Sequence, residues 1–525
     1  MPMLLQIVVV VILTGLGLAK PPLSQAQPAA KPAQAAGVEI AWNFENGSLG
    51  SWSSGKNGEI ILTHSRNAGG LWYYFRLDQV QGKTLTFVFE NARRDFYDDI
   101  SLPVCSYDQR HWFPLLDRTI QPHASDTNLI RYTFRHTFGP KRAWLAFSPP
   151  YTNAMLNQQI TAIETHPHAN VLSICDTPLE QQTLPLVHIT DPEVQNPKKT
   201  VFLLCREDAY ETATSWLAEG FITALLADSP LASAIRRRCH VLVVPIFDRD
   251  GVSRGEIIHP LPFGDRAVFW TETWPETTYS FFEQRQMKQF LQQWKKEGNG
   301  IDLALSLHSE TWKSNFIRPE HCKEENATAQ ENFFIELLGK KYMPWNSIGK
   351  RLEMDTRFTK VVHDFFPSSI SGVMQTDYIY TGFHPTVPFV YKSTEDLAQE
   401  GDLLLRAIGE FIGIQDSNPA PYLLGAMLQK PTATEDEMIP VQCVYRDLLG
   451  RAPTAVQVVV NDTAYDLAPV DEADTAYAKG VLYAGFLPAP NAQNTYYFQA
   501  TNEAASVRVP REAIPGPIVF AKKKK

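Results

Sequence analysis

At 525 residues this chain exceeds what one ordinary hydrophobic core supports, and several domains are expected. Its 44% apolar and 20% charged content describes a globular chain and excludes a disordered one. A formal net charge of −9 with no basic stripe argues against nucleic-acid binding, and the short lysine tail at 522–525 does not reverse that.

Residues 1–26 read as a secretion signal. The run at 4–18 is almost wholly apolar, and Ser24, Gln25 and Ala26 form a small-x-small cleavage site. No Lys or Arg precedes the run, so a retained membrane anchor stays open, although the run is short for a span. The expected location is therefore secreted or periplasmic, or anchored to the membrane. Residues 27–37, rich in Ala, Pro and Gln, read as a flexible spacer. Cys105, Cys175, Cys205, Cys239, Cys322 and Cys443 are scattered without a C-x-x-C pair. Export permits disulfides, but Cys205 and Cys443 sit in apolar runs and read as buried thiols, and no cysteine zinc site is expected.

Residues 38–167 predict an antiparallel β-sandwich. Short alternating stretches at 71–76, 83–89, 130–134 and 143–147 are rich in aromatic and β-branched residues, which read as core rather than as a sugar platform. Residues 168–417 alternate strands with helices, as a doubly wound α/β domain does. The apolar run 201–205 reads as a buried parallel strand that stops at Arg206, Glu207, Asp208 and Glu211. A helix follows, with Trp216, Leu217, Phe221, Leu225 and Leu226 at helical spacing. Ser229 caps a next short helix, and 241–247 is a second buried strand ending on Asp248. An amphipathic helix is expected at 281–296, and a turn at 298–300 leads into a strand at 301–308 that ends on His308. A further strand is expected at 388–391 and a closing helix at 397–412. Evenly spaced strands at 439–445, 456–460, 480–484 and 495–500 predict an immunoglobulin-like β-sandwich over 425–515.

Asp208 and Glu211 fall on the loop after a strand's C-terminal end, where open α/β sheets bind ligands. His308 ends another strand. Two carboxylates and an imidazole can converge on one divalent metal; His and Glu suit zinc, and three protein ligands leave a position for water. The alternative is a pair of solvated loop ends, or a site without metal in which Asp208 and Glu211 pair with Arg206.

This pattern resembles the zinc carboxypeptidases of the carboxypeptidase A superfamily, in particular the cytosolic-carboxypeptidase branch. There a strand ends in H-x-x-E, a later one ends near N-P-D-G, and a third ends in a second zinc histidine. Glu211 matches the motif glutamate, Asp248, Arg249, Asp250 and Gly251 resemble N-P-D-G, and His308 matches the second histidine. Upstream, Trp72 to Phe75, Leu102 to Tyr107, Trp112 and Phe147 to Thr152 resemble the β-sandwich that precedes the catalytic domain of that branch. The resemblance covers about 38–413. The module after it is similar to those appended to many secreted bacterial hydrolases, a likeness of fold that assigns no role.

The resemblance implies zinc held by Asp208, Glu211 and His308, with a glutamate to move the water's proton to the leaving amine. The family's T-x-E context falls on Ser393, Thr394 and Glu395, which makes Glu395 the candidate base, and Asp377 to Tyr380 resemble the D-W-x-Y upstream of it. An acid that only favours a helix N-terminus is the alternative for Glu395.

The chain also departs from the family. Asp208 stands where the first zinc histidine should be; its side chain is shorter, and its charge makes a metal's water harder to deprotonate. Laid without gaps on the family's pattern, Asp265 and Trp270 match its acidic and aromatic residues, but its Asn-Arg pair falls on Ala267 and Val268 and its oxyanion Arg near Ile258 or Leu261. Those residues bind no anion; Arg254 and Arg266 lie close by in the chain. Three readings follow: an active zinc exopeptidase acting on peptides or cell-wall stems, a pseudoenzyme that binds a peptide or glycan in the envelope, and a metal-dependent amidase or deacylase.

Overall fold

The computed structural model describes residues 33–256, 282–309, 316–319, 325–349 and 358–520, apart from 36, 96, 98–100, 386, 388, 431, 435–436, 490–493 and 517–518. The expected signal and most of the spacer, the anion-binding positions 258–270, Cys322 and the lysine tail lie outside the described residues.

Among the described residues, an eight-stranded mixed sheet carries the candidate site. Its order is Ala169–Asp176, Thr183–Ile189, Cys239–Val244, Lys199–Cys205, Leu303–His308, Ile370–Gln375, Phe316–Pro319 and Ser347–Ile348. The Cys239, Lys199, Leu303 and Ile370 strands run parallel at the centre, which brings their C-terminal ends to one edge. Strand alternation sorts the side chains. Val201, Leu203, Cys205, Leu303, Leu305 and Leu307 join a cluster with Leu217, Phe221 and Leu404 on one face. Phe202, Leu204 and Ala304 face Met287, Leu291, Phe358 and Val362 on the other. A sheet covered on both faces needs such continuous apolar runs, which is why these strands were legible.

Two of the covering helices touch almost backbone to backbone. Thr212–Leu226 and Thr394–Phe411 meet where Gly220 lies against Ala398 and Gly401 against Leu217 and Phe221. The short helix after Ser229 is Pro230–Arg238, and the Ser229 hydroxyl accepts from the Ala232 N–H as an N-cap should. The amphipathic helix spans Phe282–Lys296.

Preceding the mixed sheet are a six-stranded and a five-stranded sheet among the described residues. Phe75, Leu77 and Leu145 of one meet Phe87, Phe89 and Phe134 of the other in a single buried cluster. That cluster continues into Ala209, Ala213 and Trp216, beside the candidate site. The strand expected at 71–76 forms at Tyr74–Asp78, since the Leu71 and Trp72 backbone N–H groups donate to the Ala68 carbonyl in a turn, while the Trp72 indole N–H donates to the Asn46 carbonyl. After the mixed sheet, strands at Tyr422–Leu428, Met438–Arg446 and Val481–Pro488 belong to one sheet and Ala455–Val460, Thr495–Thr501 and Ser506–Pro515 to another, with a shared core around Val458, Tyr483 and Phe498.

One expected strand takes a different role. Among the described residues Val390–Tyr391 pairs only with Ile379–Tyr380, outside the mixed sheet, and the strands flanking Leu303–His308 are Lys199–Cys205 and Ile370–Gln375. Cys105, Cys175, Cys205, Cys239 and Cys443 are free thiols.

Candidate metal centre

The loop after Cys205 is shaped by Arg206. Its backbone is left-handed, with φ of 60°, a conformation that costs a non-glycine residue on the order of 1 kcal/mol. The guanidinium is fully buried and returns that cost in hydrogen bonds: Nε and Nη2 donate to the Ala209 carbonyl at 2.8 and 2.5 Å, and Nη1 donates to Tyr151 O at 3.1 Å and Ser215 Oγ at 3.2 Å. Donors spent on backbone and hydroxyl oxygens leave the neighbouring carboxylates to other partners. Glu211 ends the loop as the residue before Thr212–Leu226, while the Thr212 hydroxyl bonds to Tyr378 and to Ser148.

Asp208, Glu211 and His308 come together as the sequence expects, with one ligand atom from each within 4.8 Å of the others. Nδ1 of His308 lies 3.1 and 3.3 Å from the two carboxylate oxygens of Glu211. Donors at zinc's bond lengths in a tetrahedron sit about 3.3 Å from one another. The spacing of His308 and Glu211 and the chemistry of the three donors thus fit a divalent metal, with Asp208 half-buried beside the two buried ligands.

Two further residues complete the site. Nε2 of His308 lies 2.9 Å from Ser306 Oγ and 3.2 Å from Glu207 Oε2, and Ser306 donates to Glu207 at 2.5 Å. All four of Glu207, Glu211, Ser306 and His308 are buried. Burial works against a charged imidazole, yet Glu211 and Glu207 hold the His308 pKa well above its ordinary value. Burial raises the Glu211 carboxyl, while His308 and the Ser309 N–H oppose the rise. Ser306 went unread in the sequence, though it lies two residues before His308 and must share its face of the strand. Glu207 was legible only as one charge in a cluster.

Glu395 is not one of the three grouped ligands. It lies half-buried in the first turn of Thr394–Phe411, and its Oε2 accepts from Thr394 Oγ1 at 3.0 Å. Its charge is felt by His111, Tyr391 and Tyr496. Beside it, Ser393 and Asp396 form a capping box.

The stretch that resembles N-P-D-G is structural. Asp248 caps Arg249–Arg254 by accepting from the Gly251 N–H, and Asp250 accepts from Thr177 Oγ1 and from the Leu179 and Glu180 N–H groups. Arg254 pairs with Glu256 at 3.2 Å and approaches Glu180 at 4.0 Å.

Residues 40–147 match the model of the cytosolic carboxypeptidase N-terminal domain. Cytosolic carboxypeptidase 3 of Mus musculus is 28% identical over 244 residues, which are 44% of this chain and 22% of that protein. Cytosolic carboxypeptidase 6 of Mus musculus is 23% identical over 164 residues, 30% of each. The chain thus spans less than a third of the length of these relatives. Among solved structures, a metallo-carboxypeptidase from Burkholderia cenocepacia has a TM-score of 0.58 at 21% identity, covering 71% of this chain and 98% of that one. A metallo-carboxypeptidase from Pseudomonas aeruginosa, in complex with (2-guanidinoethylmercapto)succinic acid, has a TM-score of 0.55 at 14% identity, covering 71% and 99%. These structures share the fold, and the family they belong to implies a metal. Sequence and fold agree that the chain is a zinc carboxypeptidase-like protein, similar to the cytosolic carboxypeptidases.

Proposed function

We propose that the protein is a metal-dependent peptide hydrolase of altered specificity, exported to the cell envelope by residues 1–26. On this reading residues 38–167 and 425–515 are β-sandwiches, the second immunoglobulin-like, that flank the α/β domain. The observation that carries the functional part is the approach of Asp208, Glu211 and His308 ligand atoms to within 4.8 Å of one another.

Those three residues would hold zinc, which when bound supplies a Lewis acid for a scissile carbonyl and lowers the pKa of a water. Glu395 is the proposed proton carrier between that water and the leaving amine, a role suited to a half-buried carboxylate at a helix start. The carboxylate clamp is the altered part. Ala267 and Val268 offer no cation, and a substrate carboxylate desolvated without one is strongly disfavoured. Peptides or cell-envelope substrates without a free C-terminal carboxylate are therefore the proposed class.

A second reading has its own support. Both ring nitrogens of His308 already have carboxylate neighbours, so the site is satisfied without a metal, as a peptide- or glycan-binding pseudoenzyme would require. Zinc analysis and calorimetry on wild type and His308→Ala separate the two. The first reading expects stoichiometric zinc that His308→Ala loses, and equal hydrolysis of a peptide acid and its amide. Wild type without zinc sinks it. A strong preference for the acid would mean that a cation, such as Arg254 or Arg266, occupies the clamp.

A further inference from the structure

Nδ1 of His308 is the ring nitrogen beside Glu211, and what Nε2 meets on its own side decides which nitrogen is available to a metal. Ser306 has one hydroxyl hydrogen, and donates it to Glu207 Oε2 at 2.5 Å. Toward Nε2, 2.9 Å away, Ser306 can then only accept. Glu207 Oε2, 3.2 Å from Nε2, likewise accepts. Both neighbours of Nε2 are acceptors, so Nε2 keeps its proton, whereas the proton that Nδ1 shares with the Glu211 carboxylate is the one given up when a metal takes its place beside Glu211.

We propose that Glu207, acting with Ser306, is a positioning residue that locks the tautomer and orientation of His308 so that Nδ1 is presented to the metal. This rests on the metal-dependent reading above. Sheet register builds the arrangement: Leu204 lies opposite Ser306 and Cys205 opposite Leu307, so the chain leaving the first strand reaches the end of the second at His308. Side-chain exposures of 2% for Glu207 and 5% for His308 make the bonds hard for water to replace. A carboxylate that orients a metal-binding histidine in this way commonly contributes about 10- to 100-fold in metal affinity.

The test compares wild type, E207Q and S306A as full chains for zinc affinity by chelator competition, for the visible spectrum with cobalt(II), and for melting temperature without metal. An amide at 207 can turn an N–H toward Nε2, which moves the ring proton to Nδ1 and takes that nitrogen from the metal. The expected result is zinc binding weakened about 10- to 100-fold in E207Q, with a changed cobalt spectrum and little change in the metal-free melting temperature. S306A should show a smaller effect of the same kind, and carries the comparison if E207Q does not fold. Wild-type affinity and an unaltered cobalt spectrum in both variants would overturn the proposal while leaving the metal site standing. A lowered melting temperature with unchanged affinity would also overturn it, as a purely structural role. Failure of wild type itself to take up zinc or cobalt removes the metal-dependent reading and this proposal together.

Discussion

The backbone N–H of Gly425 donates to Oδ1 of Asp396 at 2.7 Å, which ties the sheets after residue 420 to the helix that carries Glu395. Gly425 has a φ of 59°, and a Cβ there would collide with Val390, so the close approach requires glycine. Asp396 also accepts from the Ser393 N–H and hydroxyl. Burial nevertheless outweighs these donors, and its carboxyl is pushed up to about 7.

A pH dependence follows from Asp396. A carboxyl whose pKa rises on folding binds its proton more tightly in the native state, so its contribution is full below about pH 4 and is lost as pH rises through about 7. Moving it from the ordinary 3.8 to about 7 is worth on the order of 4 kcal/mol. Urea unfolding of wild type and Asp396→Asn between pH 4.5 and 8 should show a decline in the wild type that the variant lacks. Equal slopes in both would contradict the assignment.

The helix crossing at Gly220 makes an opposite forecast to helix propensity. Alanine is the better helix former by about 1 kcal/mol. A Cβ at Gly220, however, would run into the Ala398 backbone, and one at Gly401 into Leu217 and Phe221. Overpacking of this kind costs about 1–3 kcal/mol, so Gly220→Ala should lower the denaturation midpoint. A raised midpoint would show that the helices separate freely.

Asp208 is the ligand most out of place. Asp208→His offers a longer neutral donor beside Glu211 and His308, and should tighten zinc binding by at least tenfold in calorimetry. Unchanged affinity would mean that residue 208 does not reach the metal. Lack of uptake by either form would favour the binding-module reading.

Lys392 and Glu400 form a wholly buried pair at 2.7 Å, with Glu400 also accepting from Trp345 Nε1 and Thr376 Oγ1. The Lys392 ammonium lies 4.7 Å from the centre of the Tyr380 ring. Lys392→Met strands the Glu400 charge and should cost about 3–5 kcal/mol. Adding Glu400→Gln should recover much of it, because no buried charge then remains. A double variant as unstable as the single one would place the loss in packing instead.

Local sequence was sufficient for elements whose burial pattern is written along the chain. The runs at Lys199–Cys205, Cys239–Val244 and Leu303–His308 are apolar because both faces of the sheet are covered, and the Glu211 and His308 ends follow from where those runs stop. Ile370–Gln375 escaped notice because its Ser371, Gly372 and Gln375 read as polar or weak strand formers; all six residues are buried only because neighbouring elements cover them. Residues 388–391 looked like a sheet strand, yet chain length and β-propensity say nothing about which edge is free to pair. The contact of Glu207 and Ser306 with His308 was beyond local reading for the same reason. Residues 99 and 101 positions apart become hydrogen-bonding neighbours only through the register of two parallel strands, and that register is set by the packing of the whole sheet.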